Sequence, residues 1–557
     1  MIARSPSELE NLASDTGTDM FRTAENLAEA AVPELGDIVT VELLELTLRG
    51  EVPPPGALCG STPLRRAAFR SLRGASGARP AYAVGDMIPN PPTTPYRQTL
   101  AHLRPRLIRE LNDDSLWLAR DSARARVMRE ARVRSLVVVP LVVQGAVLGL
   151  VALCRQADSA PYDAGDLQAA ATFAERAALC IDLVRRRIQE RARARLLQRA
   201  LLPEALPSLS ALEAARSHVP VEGSGGEWFD IIPLSGARVA LVVGATEGEG
   251  ADTAVGMSQL RAMILTLALQ DLAPDEILSS LDEVASRLDR EHEAHLQHPF
   301  GLKYVGSSCI CVVYDPVTAH CSLSRAGDAD LVVVHPDGTV NSPVLASHPP
   351  LGAGGQPFEA TEIDVYSGSI LLLNSGGDNA PLSDAQTTAA ERLHEVLSRP
   401  GPDAQEILEA VRWDVSPGHE PAVLVTRTRA LDTDNVATRS LPPHAAAVAA
   451  ARRWTGRQLA RWMLNELAYP TALIVSELVT NAIRYSTGPV ELRLINDDRT
   501  LICEVSDTSS TAPHLREPER CDESGRGLFI VAQLAQHQGT RYTASGKTVW
   551  TEQDLPT

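Results

Sequence analysis

Residues 223–250 read GSGGEWFDIIPLSGARVALVVGATEGEG. Within them ARVALVVGA is an apolar run of strand length, and the whole stretch has the form of a cation site with one corner missing. Glu227 offers a carboxylate, whereas Ala245, eighteen residues on, offers only a methyl group. Mg²⁺ and Mn²⁺ prefer oxygen ligands in octahedral geometry, so that one side chain matters.

Apolar strands of the same kind recur through 203–429, as SSCICVVYD, LVVVHPDG, GSILLLN and AVLVTR, with two long helices expected near 251–271 and 274–292. Upstream, residues 18–165 mix short helical stretches with strands. The run SLVVVPLVVQGAVLGLVALC at 135–154 is long enough to cross a membrane, yet Pro140 and the Gln144-Gly145 turn divide it into two β-branched segments. A buried hairpin is the better reading. Residues 166–202 then turn helical, with Leu167, Ala170, Ala174, Ala177, Ile181, Val184 and Ile188 at a and d spacing. That seam suits either a helix packed on its own domain or a parallel homodimer. The basic run RRRIQERARAR covers several helix faces and reads as a solvated linker. A last unit at 436–555 reads helix, helix, strand, strand, loop, helix and a paired strand GKTVWTE.

A chain of 557 residues exceeds one core, and three domains are expected. Its net charge of −18 repels phosphate backbones and anionic lipid, so neither nucleic acid nor a membrane face is expected as a partner. Nucleotide held through a metal and backbone amides stays compatible with that charge. The eight cysteines include no CxxC pair and read as reduced thiols, and MIARSPSELENLASD lacks an apolar stretch of signal-peptide length. Both point to a cytoplasmic protein.

The strongest chemistry lies in TALIVSELVTNAIRYS, 471–486. Leu473, Val475, Leu478, Val479, Ala482 and Ile483 give a helix a buried side, while Glu477 and Asn481 lie one turn apart on a shared face. A carboxylate there can act as a base and an amide oxygen can coordinate Mg²⁺. Asp507 ends the strand LICEVSD, where its carboxylate can accept from the amino group of a base. In DESGRGLFIVAQL, Gly525 and Gly527 open a helix whose N–H groups can meet phosphates. In this order and spacing, residues 436–555 resemble the GHKL ATPases, in the branch of anti-sigma factor serine kinases. The resemblance implies a GHKL (Bergerat) α/β sandwich that binds ATP and Mg²⁺. It makes Glu477 the general base for a substrate serine, Asn481 the Mg²⁺ ligand, Asp507 the adenine contact, and Gly525, Arg526 and Gly527 the phosphate lid. Sensor histidine kinases share this fold, but the one nearby candidate for a phospho-accepting histidine, His394 in RLHEVL, reads as part of an ordinary surface helix.

LLQRALLPEALP, GGEWFDIIPL and GQPFEATEIDVYSGSILLLNSGGDNAPL together resemble the sporulation stage II E (SpoIIE) type of PPM phosphatase, across nearly all of 197–429. The resemblance implies an αββα sandwich with two Mg²⁺ or Mn²⁺ ions between its sheets, activating a bridging water against phosphoserine. Where that family has GGDWYD this chain has Glu227 in place of the first aspartate. Where it has GDxxGHG there is GATEGEG, with Ala245 and Glu249 substituted. TDG becomes SGGDN, which puts Gly376 at the third carboxylate with Asp378 displaced, and the final DD becomes His419 and Glu420. Glu227 and Glu420 are the remaining candidate ligands, and Glu247, Glu249 and Asp378 could substitute. The expectation is an impaired or inactive phosphatase centre. The histidines of EHEAHLQH, His292, His295 and His298, do not match HExxH and read as the polar end of a helix.

Residues 18–185 resemble a GAF sensor domain in length, in their paired hydrophobic strands and in feeding a long helix. That implies an unknown small ligand or a structural dimerisation domain. Cys59, Cys154 and His102 are candidate ligands there, though scattered Cys and His more often pack. The expected whole is thus a multidomain α/β and α+β chain: GAF-like sensor 18–165, helical linker 166–202, PPM phosphatase-like domain 203–429 and GHKL ATPase domain 436–555. Its expected function is control of the phosphorylation of an anti-sigma factor antagonist of the STAS type, with that antagonist or the sigma factor as partner. The alternative is a non-catalytic scaffold, a pseudophosphatase whose binding is tuned by ATP.

Overall fold

The computed structural model describes residues 19–555 except 59–61, 73–78, 113–114, 204–205, 208, 218–225, 247, 249–250, 295–303, 377–395, 397–402, 413–421, 512–526 and 544. The chain divides between Arg193 and Ala194 into two compact units.

The first unit is a six-stranded antiparallel sheet covered on both faces. Its elements are α1 (Met20–Ala31), β1 (Ile38–Leu44), β2 (Leu64–Ser71), β3 (Met87–Ile88), α2 (Pro95–His102), β4 (Arg106–Ile108), α3 (Ser122–Glu130), β5 (Val133–Val143), β6 (Ala146–Gln156) and α4 (Ala164–Leu201). The strand order is β3-β2-β1-β6-β5-β4. Side chains of Asp19, Thr94 and Asp121 accept from the third N–H of α1, α2 and α3, satisfying donors a helix start otherwise leaves orphaned. The expected hairpin is β5–β6, and Gln144 and Gly145 both have positive φ, 49° and 81°, the conformation a two-residue I′ turn requires. All seven residues of β1 are buried because helices lie on both sides. Val39, Val41 and Leu43 pack with α1 and α4, and Ile38 and Leu44 with α2 and α3. The a/d seam resolves in favour of the chain's own domain: Ala170, Ala174, Ala177, Ile181 and Val184 are buried on this sheet, with Leu167 and Ile188 flanking them.

The second unit begins with two packed five-stranded sheets. Its elements are β7 (Leu212–Ser217), β8 (Glu227–Pro233), β9 (Val239–Ala245), α5 (Ala251–Ala268), α6 (Pro274–Ala294), β10 (Ser308–Asp315), β11 (His320–Ala326), β12 (Asp330–Val334), β13 (Val340–Asn341), β14 (Thr361–Asp364), β15 (Ile370–Asn374), α7 (Ala404–Arg412) and β16 (Val423–Thr428). One sheet runs β14-β11-β10-β9-β8 and the other β13-β12-β15-β16-β7. Strand alternation sorts the core: Leu331, Val333, Leu371 and Leu373 point between the sheets, while Val332, Val334, Ile370 and Leu372 meet Ile407 and Leu408 of α7. Met257, Leu260, Ile264, Ile277 and Leu281 of α5 and α6 cover the other sheet. This is the expected αββα sandwich.

Then follow β17 (Val436–Leu441), α8 (Ala446–Arg461), α9 (Ala468–Tyr485), β18 (Val490–Asn496), β19 (Thr500–Asp507), α10 (Gly527–Leu534), β20 (His537–Thr543) and β21 (Gly546–Asp554), with strand order β17-β18-β19-β21-β20. The sequence reading missed β17 and β20, the two edge strands. Helices lie on one face, where Ile474, Val475, Leu478 and Val479 pack on Leu492, Leu494, Cys503 and Val505. The opposite face buries Glu504, which is 1% exposed and takes Arg493 Nε at 2.6 Å and Arg541 Nη2 at 3.2 Å. Arg541 Nη1 also donates to Ser235 Oγ of the β8–β9 turn at 2.8 Å, so the sandwich covers this face. Gly236, at φ 71°, leaves room there that a Cβ would fill, meeting Glu504 Oε1 at 2.6 Å.

Six described cysteines are buried free thiols. Among the described residues no helix is long and apolar enough to cross a membrane.

Candidate functional sites

In the C-terminal module α9 carries Glu477 and Asn481 half-buried on one face, as their spacing requires. Ile474, rather than the expected Leu473, is the fully buried residue of the first inward turn. Gly527 opens α10 directly against Glu477, and a Cβ at that position would overlap Glu477 Oε2. A larger residue there would push the Glu477 carboxylate aside, and that carboxylate lies at a helix N-terminus, where the dipole favours negative charge. Gly525 and Arg526 lie outside the described residues.

Asp507 ends β19 on the helix-facing side and is buried. It stands directly opposite Lys547 in the β19–β21 ladder, and Lys547 Nζ lies 3.0 Å from its Oδ1 and 3.2 Å from Ser509 O. The N–H of Ser509 donates to the same Oδ1 at 2.7 Å. One oxygen is thus fixed by the chain, leaving Oδ2 to accept from a base. Gly546 is needed beside it, because a Cβ would overlap the Asp507 carbonyl oxygen. Lys547 escaped the sequence reading although its strand was identified; the signal was a lysine at the start of a strand pairing with one that ends in aspartate. The set Glu477, Asn481, Asp507 and Gly527 fits a nucleotide with its cation.

In the middle module the β8–β9 register sets Glu227 directly opposite Ala245. Directly opposed residues in an antiparallel pair project to one face about 5 Å apart. The expected partners therefore meet, and a methyl group occupies the place of the second carboxylate. Asp230 belongs to the other face of β8, where it is buried and takes Arg261 Nε of α5 at 2.8 Å, an ion pair that anchors helix to sheet. Gly376 has φ 92°, and a Cβ on it would lie 2.7 Å from the carbonyl of Asp328. The backbone there has closed over the room a third carboxylate would need. Among the described residues no three His, Cys, Asp or Glu side chains could hold a metal ion together. Glu247, Glu249, Asp378, His419 and Glu420 lie outside the described residues, as do His295, His298, His394 and Cys59. The residues described do not fit a two-metal cluster.

In the first module Cys154 is buried in β6, and burial pushes its thiol up to about 12. His102 is exposed at the end of α2, its Nδ1 bonded to Gln98 O at 2.8 Å.

Three family models match the chain: GAF domain at 40–181, Stage II sporulation protein E (SpoIIE) at 235–429, and Histidine kinase-like ATPase domain at 441–552. Among solved structures it is similar to the RsbU and RsbW domains of Rv1364c from Mycobacterium tuberculosis, at 18% identity over 63% of this chain and 97% of that one, TM-score 0.34. The PP2C phosphatase domain with a fragment of the regulatory domain of SpoIIE from Bacillus subtilis matches at 14% identity, over 40% of this chain and 64% of that one, TM-score 0.32. The S. agalactiae serine/threonine phosphatase matches at 11%, over 40% and 99%, TM-score 0.32. By its family models the chain is a GAF domain, a SpoIIE phosphatase domain and a histidine kinase-like ATPase domain, joined in that order.

Proposed function

We propose that this protein is a signalling regulator whose C-terminal domain, 436–555, transfers phosphate from ATP to a serine of a STAS-type anti-sigma factor antagonist. In this reading the SpoIIE domain, 203–429, is catalytically impaired and holds partners. The observation that carries the proposal is the meeting of Glu477 with the Gly527 end of α10, one turn from Asn481, with Asp507 buried at the end of β19 on the sheet face that α9 covers. A helix N-terminus suits phosphate oxygens, the Asn481 amide oxygen suits the accompanying Mg²⁺, and Asp507 Oδ2 suits the adenine amino group. Glu477 takes the proton of the substrate hydroxyl as its oxygen bonds to the γ-phosphorus and ADP departs.

The test incubates the full chain with radiolabelled ATP and a purified STAS-type antagonist. Transfer to serine that disappears in Glu477→Gln, with ATP still bound, supports the reading; transfer that persists in that variant overturns it. Binding without turnover by the middle domain, as this reading has it, is supported by Ala245 and by the closed backbone at Gly376. In that reading Mn²⁺ produces no hydrolysis of a generic phosphoester.

A further inference from the structure

Period-two alternation gives β19 two unlike faces. Cys503, Val505 and Asp507 lie on the α9 side, and Glu504 and Ser506 on the side toward the sandwich. The sandwich reaches this strand at two places. Ser210 Oγ lies 3.5 Å from Asp497 Oδ2, and Asp497 Oδ1 accepts from the N–H of Thr500, where β19 begins, at 2.8 Å. Midway along the strand, Arg541 donates to Glu504 Oε1 at 3.2 Å and to Ser235 Oγ at 2.8 Å. Gly236 closes against the same carboxylate so tightly that a side chain there would collide with it. The start and middle of β19 are thus held by the sandwich, and its end carries Asp507.

The two faces share the rungs of one ladder. Glu504 stands opposite Trp550, Ser506 opposite Thr548 and Asp507 opposite Lys547. Thr548 in turn stands opposite Arg541, and its hydroxyl oxygen lies 2.8 Å from that of Ser506. Arg541, which meets the sandwich, is therefore paired with the residue next to Lys547, which fixes Asp507. With the sandwich in place the Glu504 side chain is 1% exposed. Lifting it away admits water to Glu504 and Arg541 and takes the backing from the Asp507–Lys547 rung. An acceptor already fixed when its ligand arrives binds more tightly than one that must be ordered on arrival.

We propose that docking of the sandwich and nucleotide binding are coupled through β19, each favouring the other. The inference rests on the nucleotide reading of Asn481 and Asp507 and adds to it a control from the middle domain. Its two states are a docked one, with Asp507 fixed, and an undocked one, with Glu504 and Arg541 in water. Nucleotide shifts the balance because it binds the docked state more tightly. Such coupling is reciprocal: what the dock adds to nucleotide affinity, nucleotide returns to the dock.

The experiment titrates the full chain with the non-hydrolysable analogue AMP-PNP and Mg²⁺ by calorimetry, and follows hydrogen exchange in the 234–238 turn with and without it. The N–H groups of Leu234 and Arg238 are bonded within that turn and serve as reporters. AMP-PNP is expected to slow their exchange, although the turn lies on the far side of the sheet from Asp507. Gly236→Glu sets a second carboxylate against Glu504 from the sandwich. It is expected to weaken AMP-PNP binding about fivefold or more and to abolish the protection. Ser235→Ala removes only the acceptor for Arg541 and Arg238, is expected to move both readouts the same way by less, and covers the case in which Gly236→Glu fails to fold. AMP-PNP binding without protection of the turn, or with affinity unchanged in the folded variants, overturns the coupling and leaves the nucleotide site standing. No AMP-PNP binding to the natural chain overturns both.

Discussion

At the scale of single residues, chemistry in this chain follows oxygen donors and what the neighbouring backbone allows them to do. Glu477 and Asn481 could be paired from the sequence because one helical turn separates them, and no tertiary knowledge is needed for that. On the proposed function, Glu477→Gln is expected to lower serine phosphorylation by about 10²–10⁴ while leaving ATP affinity within a few-fold, as read by phosphotransfer and calorimetry. Asn481→Ala is expected to do the opposite first, weakening Mg²⁺-dependent ATP binding. Lys547 could not be assigned that way, since it reaches Asp507 across 40 positions and only the register of two strands makes them partners. Lys547→Met strands a carboxylate whose side chain is 2% exposed, and should cost about 3–5 kcal/mol in urea unfolding. Adding Asp507→Asn should recover most of that loss.

At the scale of elements, register and turn geometry decide the middle domain. The strands that bring Glu227 to Ala245 were legible as apolar runs, and so was the absent carboxylate; the direct opposition of the two positions came from the ladder. The loop at Gly376 adds what no motif states: its left-handed φ and its contact with Asp328 leave no room for a side chain. Ala245→Asp alone is therefore expected to leave phosphoester hydrolysis in Mn²⁺ at the level of the unaltered chain. In β21, burial and nearby Asp497 and Asp271 hold the Glu552 carboxyl above its ordinary value. A raised carboxyl pKa contributes stability below the unfolded value, and that contribution is lost as pH rises through the folded one. Glu552→Gln should thus unfold at a higher temperature than the unaltered chain at about pH 7, with the gap closing as pH falls toward the usual carboxylate range near about 4. Thermal unfolding at both pH values checks the sign.

At the scale of the molecule, the covered face of the ATPase sheet links the C-terminal domain to the sandwich. Glu504 is held by Arg493 and Arg541, and Arg541 also bonds the β8–β9 turn at Ser235. Arg541→Ala is expected to cost about 1–3 kcal/mol and to separate the unfolding of the two modules in calorimetry, whereas a single unchanged transition would mean the contact couples nothing. The order of the modules, their alternation of strands and helices, and the presence or loss of each oxygen donor were set by the amino-acid sequence alone. Those features are local: they depend on residue type and on periods of two or 3.6 residues. The edge strands β17 and β20, the Lys547–Asp507 pair and the cover over Glu504 were decided only by tertiary structure. Each depends on which distant residues share a face or a register, and packing settles that only when the chain closes on itself.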